Sequence, residues 1–185
     1  MTITNRPKLS AGETLCRYCG LCCTGHLFES ARLGADEAAF PRSMGMQVRI
    51  AEGESSGHFL LPCPLWRKHC SIYSHPLKPQ VCSSYQCELL KNVHSGSFSL
   101  QRALATVVRI KKMISGLEMA LPIAQGENFR KRLLDSIGLL ERSAENGDSK
   151  AGKILFESGI LLAKFSRIYG VINLFNDPEQ RSLEG

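Results

Sequence analysis

Four of the eight cysteines in this chain of 185 residues lie in one short run. The run reads Cys16-Arg17-Tyr18-Cys19-Gly20-Leu21-Cys22-Cys23, which is the pattern C-x2-C-x2-C-C. Thiolates bind zinc and iron, and a spacing of two residues lets one tight turn direct both sulfurs to the same centre. A glycine inside the run lets backbone amides approach the sulfurs, because it has no Cβ. The pattern therefore predicts a metal site.

The other four cysteines follow with six, eleven and four residues between them: Cys63, Cys70, Cys82 and Cys87. A zinc ribbon contains two C-x2-C pairs, and this spacing supplies no second pair. Three cysteines in series with a distant fourth is the arrangement by which bacterial ferredoxins hold a cubane cluster. The spacing favours an iron-sulfur cluster or iron, and zinc stays open because isolated thiolates suit it as well.

Adjacent side chains diverge, so Cys22 and Cys23 are not expected to bind the same small ion. We expect Cys16, Cys19 and Cys22 to share a centre and Cys23 to point toward the downstream cysteines. Eight thiolates are enough for two sites of four, or for one cluster with spare cysteines. Buried structural thiols and a disulfide framework are the alternatives, and the clustering disfavours both. All eight cysteines are predicted metal ligands.

The ordered set of cysteine motifs resembles the CxxCxxCC family of zinc- or iron-chelating domain proteins. The matching segments are residues 16–23, Cys63-Pro64-Leu65, Cys70-Ser71-Ile72-Tyr73 and residues 78–87, within a span of about residues 14–90. The family typically reads R-P-x-x-C-R-x-F-x-C in the last segment, whereas this chain has Lys78, Ser83 and Tyr85 at the arginine, arginine and phenylalanine positions. The resemblance implies metal binding by the cysteines. The motif also occurs in flagellin lysine N-methylases, which implies a cluster-supported methyl transfer as an alternative.

Three histidines are weaker candidates for ligands, because each lies near a cysteine in the sequence. They are His26, His69 and His75. Imidazole suits zinc and Rieske-type iron, but a surface histidine is the commoner case. Trp66 and Tyr73 are expected to pack over the sulfurs and exclude water.

The charge distribution and the hydropathy of the sequence limit the class of partner. The net charge of +6 divides into +3 for residues 1–95 and +3 for residues 96–185, which disfavours nucleic acid as a partner. The basic runs at residues 109–112 and 130–132 are interpreted as solvated helix faces. The most apolar region, residues 154–175, contains Glu157, Lys164 and Arg167, so we expect no membrane partner. Residues 1–10 lack the apolar segment of a secretory signal, which favours the cytoplasm.

All the cysteines lie in the first 87 residues, which divides the chain into two predicted modules. Residues 1–95 form a cysteine-rich zinc- or iron-chelating module and residues 96–185 a helical module. In the first, residues 34–40 predict a short helix stopped by Pro41, and residues 46–51 and 58–61 predict a hairpin around residues 52–57. Residues 62–87 contain four prolines and need a brace such as a metal.

The second module shows apolar residues at a period of 3.6, which predicts three amphipathic helices. Their apolar positions end before Pro122, Gly147 and Pro178, and the third series runs to Ile172. The predicted fold is mainly α with a small β-hairpin, and the three helices pack against the irregular cysteine-rich module because neither part has a large core.

The chemistry of the cysteines leads to three hypotheses. The favoured one is a metal-binding protein with a redox, regulatory or metal-handling role. The second is the methylase-like enzyme, against which the chain shows no glycine-rich loop for a methyl donor. The third is a zinc-stapled adaptor whose helices bind a protein. The sequence assigns no catalytic residue and identifies no protein partner.

Overall fold

A computed structural model describes residues 9–122 and 128–171 of the chain. These residues form seven helices: α1 Ala11–Cys19, α2 Ala39–Ser43, α3 Val81–Ser84, α4 Glu88–His94, α5 Leu100–Ala120, α6 Phe129–Glu145 and α7 Ser149–Tyr169. They also form three strands: β1 Ser30–Leu33, β2 Val48–Arg49 and β3 Gly57–Leu60. The expectation of a mainly α fold with a small β element is confirmed.

The three long helices begin at side chains that cap their free backbone amides. Ser99 accepts a hydrogen bond from the amide of Arg102, Asn128 from that of Lys131, and Asp148 from those of Lys150 and Ala151. Caps of this kind satisfy amides that have no partner inside the helix. The prediction of three helices is confirmed, although α7 ends at Gly170 in a left-handed conformation; Ile172 and Pro178 lie outside the described residues.

The sheet is antiparallel, with the strand order β1-β3-β2. Val48 pairs with Phe59 across the predicted hairpin, which is confirmed, and Ser30 pairs with Leu60 on the other side. The first strand was not predicted, because four residues are too few to show an alternating pattern. A core of five buried residues lies against this sheet: Leu33, Met46, Phe59, Leu61 and Ile72.

The expectation that a helix over residues 34–40 stops at Pro41 is wrong. The helix α2 covers Ala39–Ser43 and contains Pro41, which is buried. A proline is accepted in the first turn of a helix because the amide it lacks would have no partner there. Residues 34–37 instead form a turn in which the amide of Gly34 donates to a carboxylate oxygen of Glu37 at 2.8 Å.

The main core joins the three long helices to the cysteine-rich segment. It contains Leu15, Leu21 and Leu27 from the region of the cysteine run and Leu89 and Val93 from α4, together with the apolar faces of α5, α6 and α7. The predicted packing of the helices against the cysteine-rich segment is therefore confirmed. The position of the module boundary at residues 95 and 96 stays a prediction.

Candidate metal centre

The first two cysteines of the run lie on α1, a helix that the sequence analysis missed. Ser10 and Glu13 cap it reciprocally, with the Ser10 amide donating to the Glu13 carboxylate at 2.8 Å and the Glu13 amide donating to Ser10 Oγ at 3.1 Å. Cys16 and Cys19 are three residues apart and so share one face of this helix. The signal for the helix was present, since Ser-x-x-Glu is a capping box.

The helix ends at Gly20, and that glycine is required for two reasons. Its φ is 66°, a left-handed conformation that side chains disfavour. A Cβ at this position would also overlap the ring of Trp66. The chain then turns through residues 21–25, which carry Cys22 and Cys23, and the Gly25 amide donates to the Cys22 carbonyl at 3.2 Å. Trp66 therefore packs against the turn between the two halves of the run.

The run is fixed to the long helices by three contacts. Lys111 on α5 donates to the Tyr18 carbonyl at 2.9 Å, and the buried Arg130 on α6 donates to the Leu27 carbonyl at 2.9 Å. His26 lies 3.2 Å from a carboxylate oxygen of Glu118 on α5. The helical region thus sets the position of the cysteines.

The adjacent thiols Cys22 and Cys23 have different neighbours. Burial raises the pKa of Cys22 well above its ordinary value, and Cys19 and Cys87 are the next largest causes. Burial also raises the pKa of Cys23, but there the next causes are the downstream thiols Cys63, Cys70 and Cys82. The pKa values of the two adjacent thiols therefore depend on different sets of cysteines, in line with the expected divergence of their side chains.

These relations define two groups. The first thiol group contains Cys16, Cys19, Cys22 and Cys87, and the second contains Cys23, Cys63, Cys70 and Cys82. Cys16 has its largest thiol influence from Cys87 of the first group and a smaller one from Cys70 of the second. Among the described residues, no group of three or more His, Cys, Asp or Glu side chains is arranged to hold a metal ion as it stands.

Cys87 joins the first thiol group from a distant part of the sequence. It precedes the first residue of α4, and the amides of Leu89 and Leu90 lower the pKa of its thiol, although burial outweighs them and the net shift is upward. Amides at the start of a helix stabilise a thiolate. The structure thus identifies a fourth partner for the three cysteines of the run.

The second thiol group is tied to the run by the backbone. The Cys63 amide donates to the Cys23 carbonyl at 2.7 Å, and the Trp66 amide donates to the Cys63 carbonyl at 3.1 Å to close a turn. Trp66 and Cys70 then face each other in an antiparallel bridge. These bonds fold the proline-rich segment back on the run, and Cys82 follows on the short helix α3.

Burial raises the pKa of seven of these thiols: Cys16, Cys19, Cys22, Cys23, Cys63, Cys82 and Cys87. It raises the pKa of Cys19 to about 12, with Cys87 and Cys16 adding to the shift and Lys111 opposing it. Burying a charge without a partner is costly, so neutral thiols are the favoured form in the absence of a cation. A bound metal cation reverses this preference and deprotonates its thiol ligands. The pKa values of these buried thiols are therefore ones that a bound cation would lower.

Tyr169 on α7 is a residue near the first thiol group that the sequence analysis did not single out. The residue is 1% exposed. Among the described residues, its hydroxyl is the one buried polar side-chain atom without a hydrogen-bond partner. Its pKa is raised by burial, then by the charges of Cys19 and Cys87. The hydroxyl thus lies beside the first thiol group without a bond of ordinary geometry. No sequence signal marks it, because it continues the apolar face of a helix.

An open cavity of about 460 Å³ reaches both thiol groups from solvent. Its lining includes Cys16 of the first group and Cys82 of the second, the two exposed cysteines, with Lys78 beside them. The Lys78 ammonium lies 4.4 Å from the centre of the Tyr73 ring and lowers the pKa of both thiols, against the larger effect of burial. The cavity is the route by which solvent or a reactant meets the sulfurs.

The histidines have other partners or stay apart. His26 Nδ1 lies 2.5 Å from the Thr24 hydroxyl and Nε2 lies by Glu118, so both ring nitrogens are engaged. His75 accepts a hydrogen bond from the Leu77 amide at 3.1 Å and stacks on Phe40. His69 is exposed. His94, which was not a candidate ligand, lines the cavity with Cys16.

Comparison of the chain with protein-family models, with curated proteins and with solved structures finds no match. The resemblance to the CxxCxxCC family therefore stays a prediction. No helix in the described residues combines the length and apolar character needed to cross a membrane.

Proposed function

We propose that this protein binds iron, as an iron-sulfur cluster or as iron ions, through the two thiol groups, with zinc as the competing metal. Its role is redox, regulatory or in metal handling. The observation that carries the proposal is the difference between the adjacent thiols: Cys19 and Cys87 influence Cys22 most, whereas Cys63, Cys70 and Cys82 influence Cys23 most. Four thiolates are the ligand set of iron-sulfur clusters and of structural zinc sites.

The residues around the first thiol group fit such a centre. The Tyr169 hydroxyl has no partner of its own and lies beside Cys19 and Cys87, so it can donate to a thiolate there. Burial raises the pKa of Cys19, and the Leu21 amide opposes that rise. Donors to the ligand sulfurs stabilise negative charge on a metal-thiolate centre. A bound iron-sulfur cluster supplies one-electron chemistry.

The chain's own residues then perform three tasks. The buried thiols bind, the long helices hold α1 and the turn in place, and Trp66 covers the turn at Gly20. Cys16 and Cys82 line the open cavity, so electron or metal exchange is expected at these two sulfurs. All eight cysteines are free thiols, which supports a reducing compartment such as the cytoplasm.

The test is anaerobic purification followed by metal and sulfide analysis and an absorption spectrum. Iron with acid-labile sulfide and a brown colour supports the proposal. Zinc in a colourless protein replaces the cluster with a zinc staple and favours an adaptor role. Binding of the methyl donor in a calorimetric titration favours the methylase-like enzyme instead.

Paired variants test the assignment to groups. Cys87→Ser removes a ligand of the first group and Cys63→Ser one of the second, and serine is a poor ligand for soft metals. Each variant should lose the metal of its own group and keep that of the other. The matched control is Ser83→Ala, an exposed residue beside Cys82 that is not a thiol. Loss of all metal in both variants would contradict two separate centres.

A further inference from the structure

A groove of about 860 Å³ lies along α5 and α7 beside α4, away from the thiol groups. Six charged side chains line it: Arg102, Arg109, Lys112, Lys164, Arg167 and Glu157. Five positive charges less one negative leave the groove at +4, against a net +6 for the whole chain. The fold therefore gathers charge that is spread evenly along the sequence, and the exposed Arg109 and Lys112 of the basic run at residues 109–112 line this groove.

The cations of the groove have no carboxylate partner in the described parts of the chain. Arg102 lies over the Phe98 ring at 4.1 Å, and Arg109 is 3.4 Å from the Thr106 hydroxyl. Elsewhere on the surface, Lys91 and Lys131 pair with carboxylates at 2.6 and 2.7 Å. Unpaired charges of one sign in a concave site focus the field and attract an ion of the opposite sign. The groove is suited to a ligand with several negative charges.

The apolar residues of the groove limit the chemical groups that this ligand can have besides its negative charges. The floor of the groove is closed, since Leu89 is 1%, Ile110 2% and Leu117 1% exposed. Phe98 and Met113, both half-buried, are the larger apolar side chains that the groove still presents to a ligand. A nucleic-acid strand needs successive aromatic platforms, and Phe98 is the aromatic residue that the groove offers.

We propose that this groove binds a nucleoside polyphosphate. Arg and Lys side chains are the usual partners of phosphate oxygens, and the volume lies within the range of small-molecule sites. The Arg102 guanidinium on Phe98 offers a flat surface on which a base can stack. Glu157 can accept hydrogen bonds from the ribose hydroxyls, as carboxylates do in dinucleotide sites. The proposal is independent of the metal centres.

The test is calorimetric titration of the full-length protein with ATP, tripolyphosphate, AMP and adenosine. We expect ATP to bind more tightly than tripolyphosphate, and both more tightly than AMP or adenosine. The double variant Arg109→Gln with Lys112→Gln should bind ATP at least about tenfold more weakly. The loss of a single charge-assisted hydrogen bond already weakens binding by more than about tenfold. Lys164→Gln with Arg167→Gln should do the same from α7, which guards against a folding defect in either variant.

The matched control is Arg142→Gln with Lys150→Gln, two exposed cations outside the groove. Its affinity for ATP should equal that of the parent protein, and all variants should keep the parent metal content. The proposal is overturned if ATP shows no saturable binding at millimolar concentration. It is also overturned if the control variant loses as much ATP affinity as the groove variants do. Tripolyphosphate binding as tightly as ATP overturns the nucleoside part. Displacement of ATP by a short single-stranded RNA that binds more tightly overturns it in favour of nucleic acid.

Discussion

The helical region places its side chains through three helices of 21, 17 and 21 residues, whereas the cysteine region places eight thiols mostly through turns and short helices. Among the residues that the structure describes, nineteen are buried in the main core, five of them from the cysteine region, and five are buried in the core under the sheet. The apolar faces of regular helices follow from a local sequence pattern. Irregular chain needs that core, and in our proposal a metal, to hold its shape.

Separating the two regions should have the largest effect. A fragment of residues 96–185 loses Leu15, Leu21, Leu27, Leu89 and Val93 from the shared core. Each buried side chain of this kind contributes about 1.5–3 kcal/mol, so the loss of about 7–15 kcal/mol matches the whole stability of a typical domain. We expect no cooperative melt by circular dichroism. A melt matching that of the full protein would show that the helical region is independent.

Removing one ligand should have the next largest effect. Cys19→Ser keeps the volume but replaces a thiol with a hydroxyl that does not ionise near neutral pH, so the first thiol group should lose its metal. The melting temperature should fall by about 10 °C, since metal binding is coupled to folding. Metal stoichiometry and thermal melts after anaerobic preparation measure both, and the anaerobic step prevents oxidation of the freed thiols.

Histidine variants are the controls for this substitution. His26→Ser and His94→Ser should retain full metal content, because His26 is engaged by Thr24 and Glu118 and His94 packs on Gly12. Full metal and unchanged stability in Cys19→Ser would mean that the site is misassigned. A histidine variant that loses metal would indicate a mixed sulfur and nitrogen centre.

A substitution in the turn within the cysteine run should have an intermediate effect. Gly20→Ala adds a Cβ at a φ of 66° where it overlaps Trp66, so it should lower the free energy of unfolding by about 1–3 kcal/mol and reduce metal retention. Gly159→Ala on α7 is the control, because a Cβ there meets nothing and the helix gains about 0.5–1 kcal/mol. Denaturant unfolding measures both. Equal stability in the two variants would refute the packing argument at Gly20.

The sequence predicted the helical region better than the cysteine region for a physical reason. The apolar period of α5, α6 and α7 is a local property, so their existence and most of their ends could be inferred. The partnership of Cys87 with the run depends on how α4 packs against α1, and neither helix was predicted. The capping box at Ser10 and Glu13 could have revealed α1. The place of Tyr169 beside the thiols could not be predicted from the sequence, because it depends on how α7 packs against the cysteine region.

The pH dependence should differ between the metal-free and the loaded protein. The folded state raises the pKa of Cys19 from 9.0 to about 12, so it holds that proton more strongly than the unfolded chain does. Stability from this source is full below about pH 8 and is lost as the pH rises through about 9 toward 12, so the metal-free melting temperature should fall as the pH rises above about 9. Metal affinity should rise from about pH 6 to about pH 8, since binding releases thiol protons.

The control for this titration is the metal-free Cys19→Ser protein, which lacks one raised thiol and should show a shallower fall with pH. Thermal melts across the pH series measure the slope. A metal-free protein that becomes more stable above about pH 9 would contradict the burial of neutral thiols.

Tyr169→Phe should have the smallest effect and the most informative sign. In the metal-free protein the hydroxyl is buried without a partner, and its removal relieves a desolvation cost, so stability should stay equal or rise by about 1 kcal/mol. In the loaded protein the hydroxyl donates to a thiolate under our proposal, so its removal should weaken metal binding by about 1 kcal/mol, or roughly fivefold. Melts of the metal-free protein and chelator competition measure the two effects.

Tyr85→Phe is the matched control, because Tyr85 also lies by Cys22 and Cys87 but is 40% exposed. Water can solvate the Tyr85 hydroxyl in the metal-free protein, so the removal of this hydroxyl should leave the stability of that state unchanged. A Tyr169→Phe protein that is less stable without metal and equally tight with it would show that the hydroxyl belongs to the helical core and has no part in the first thiol group.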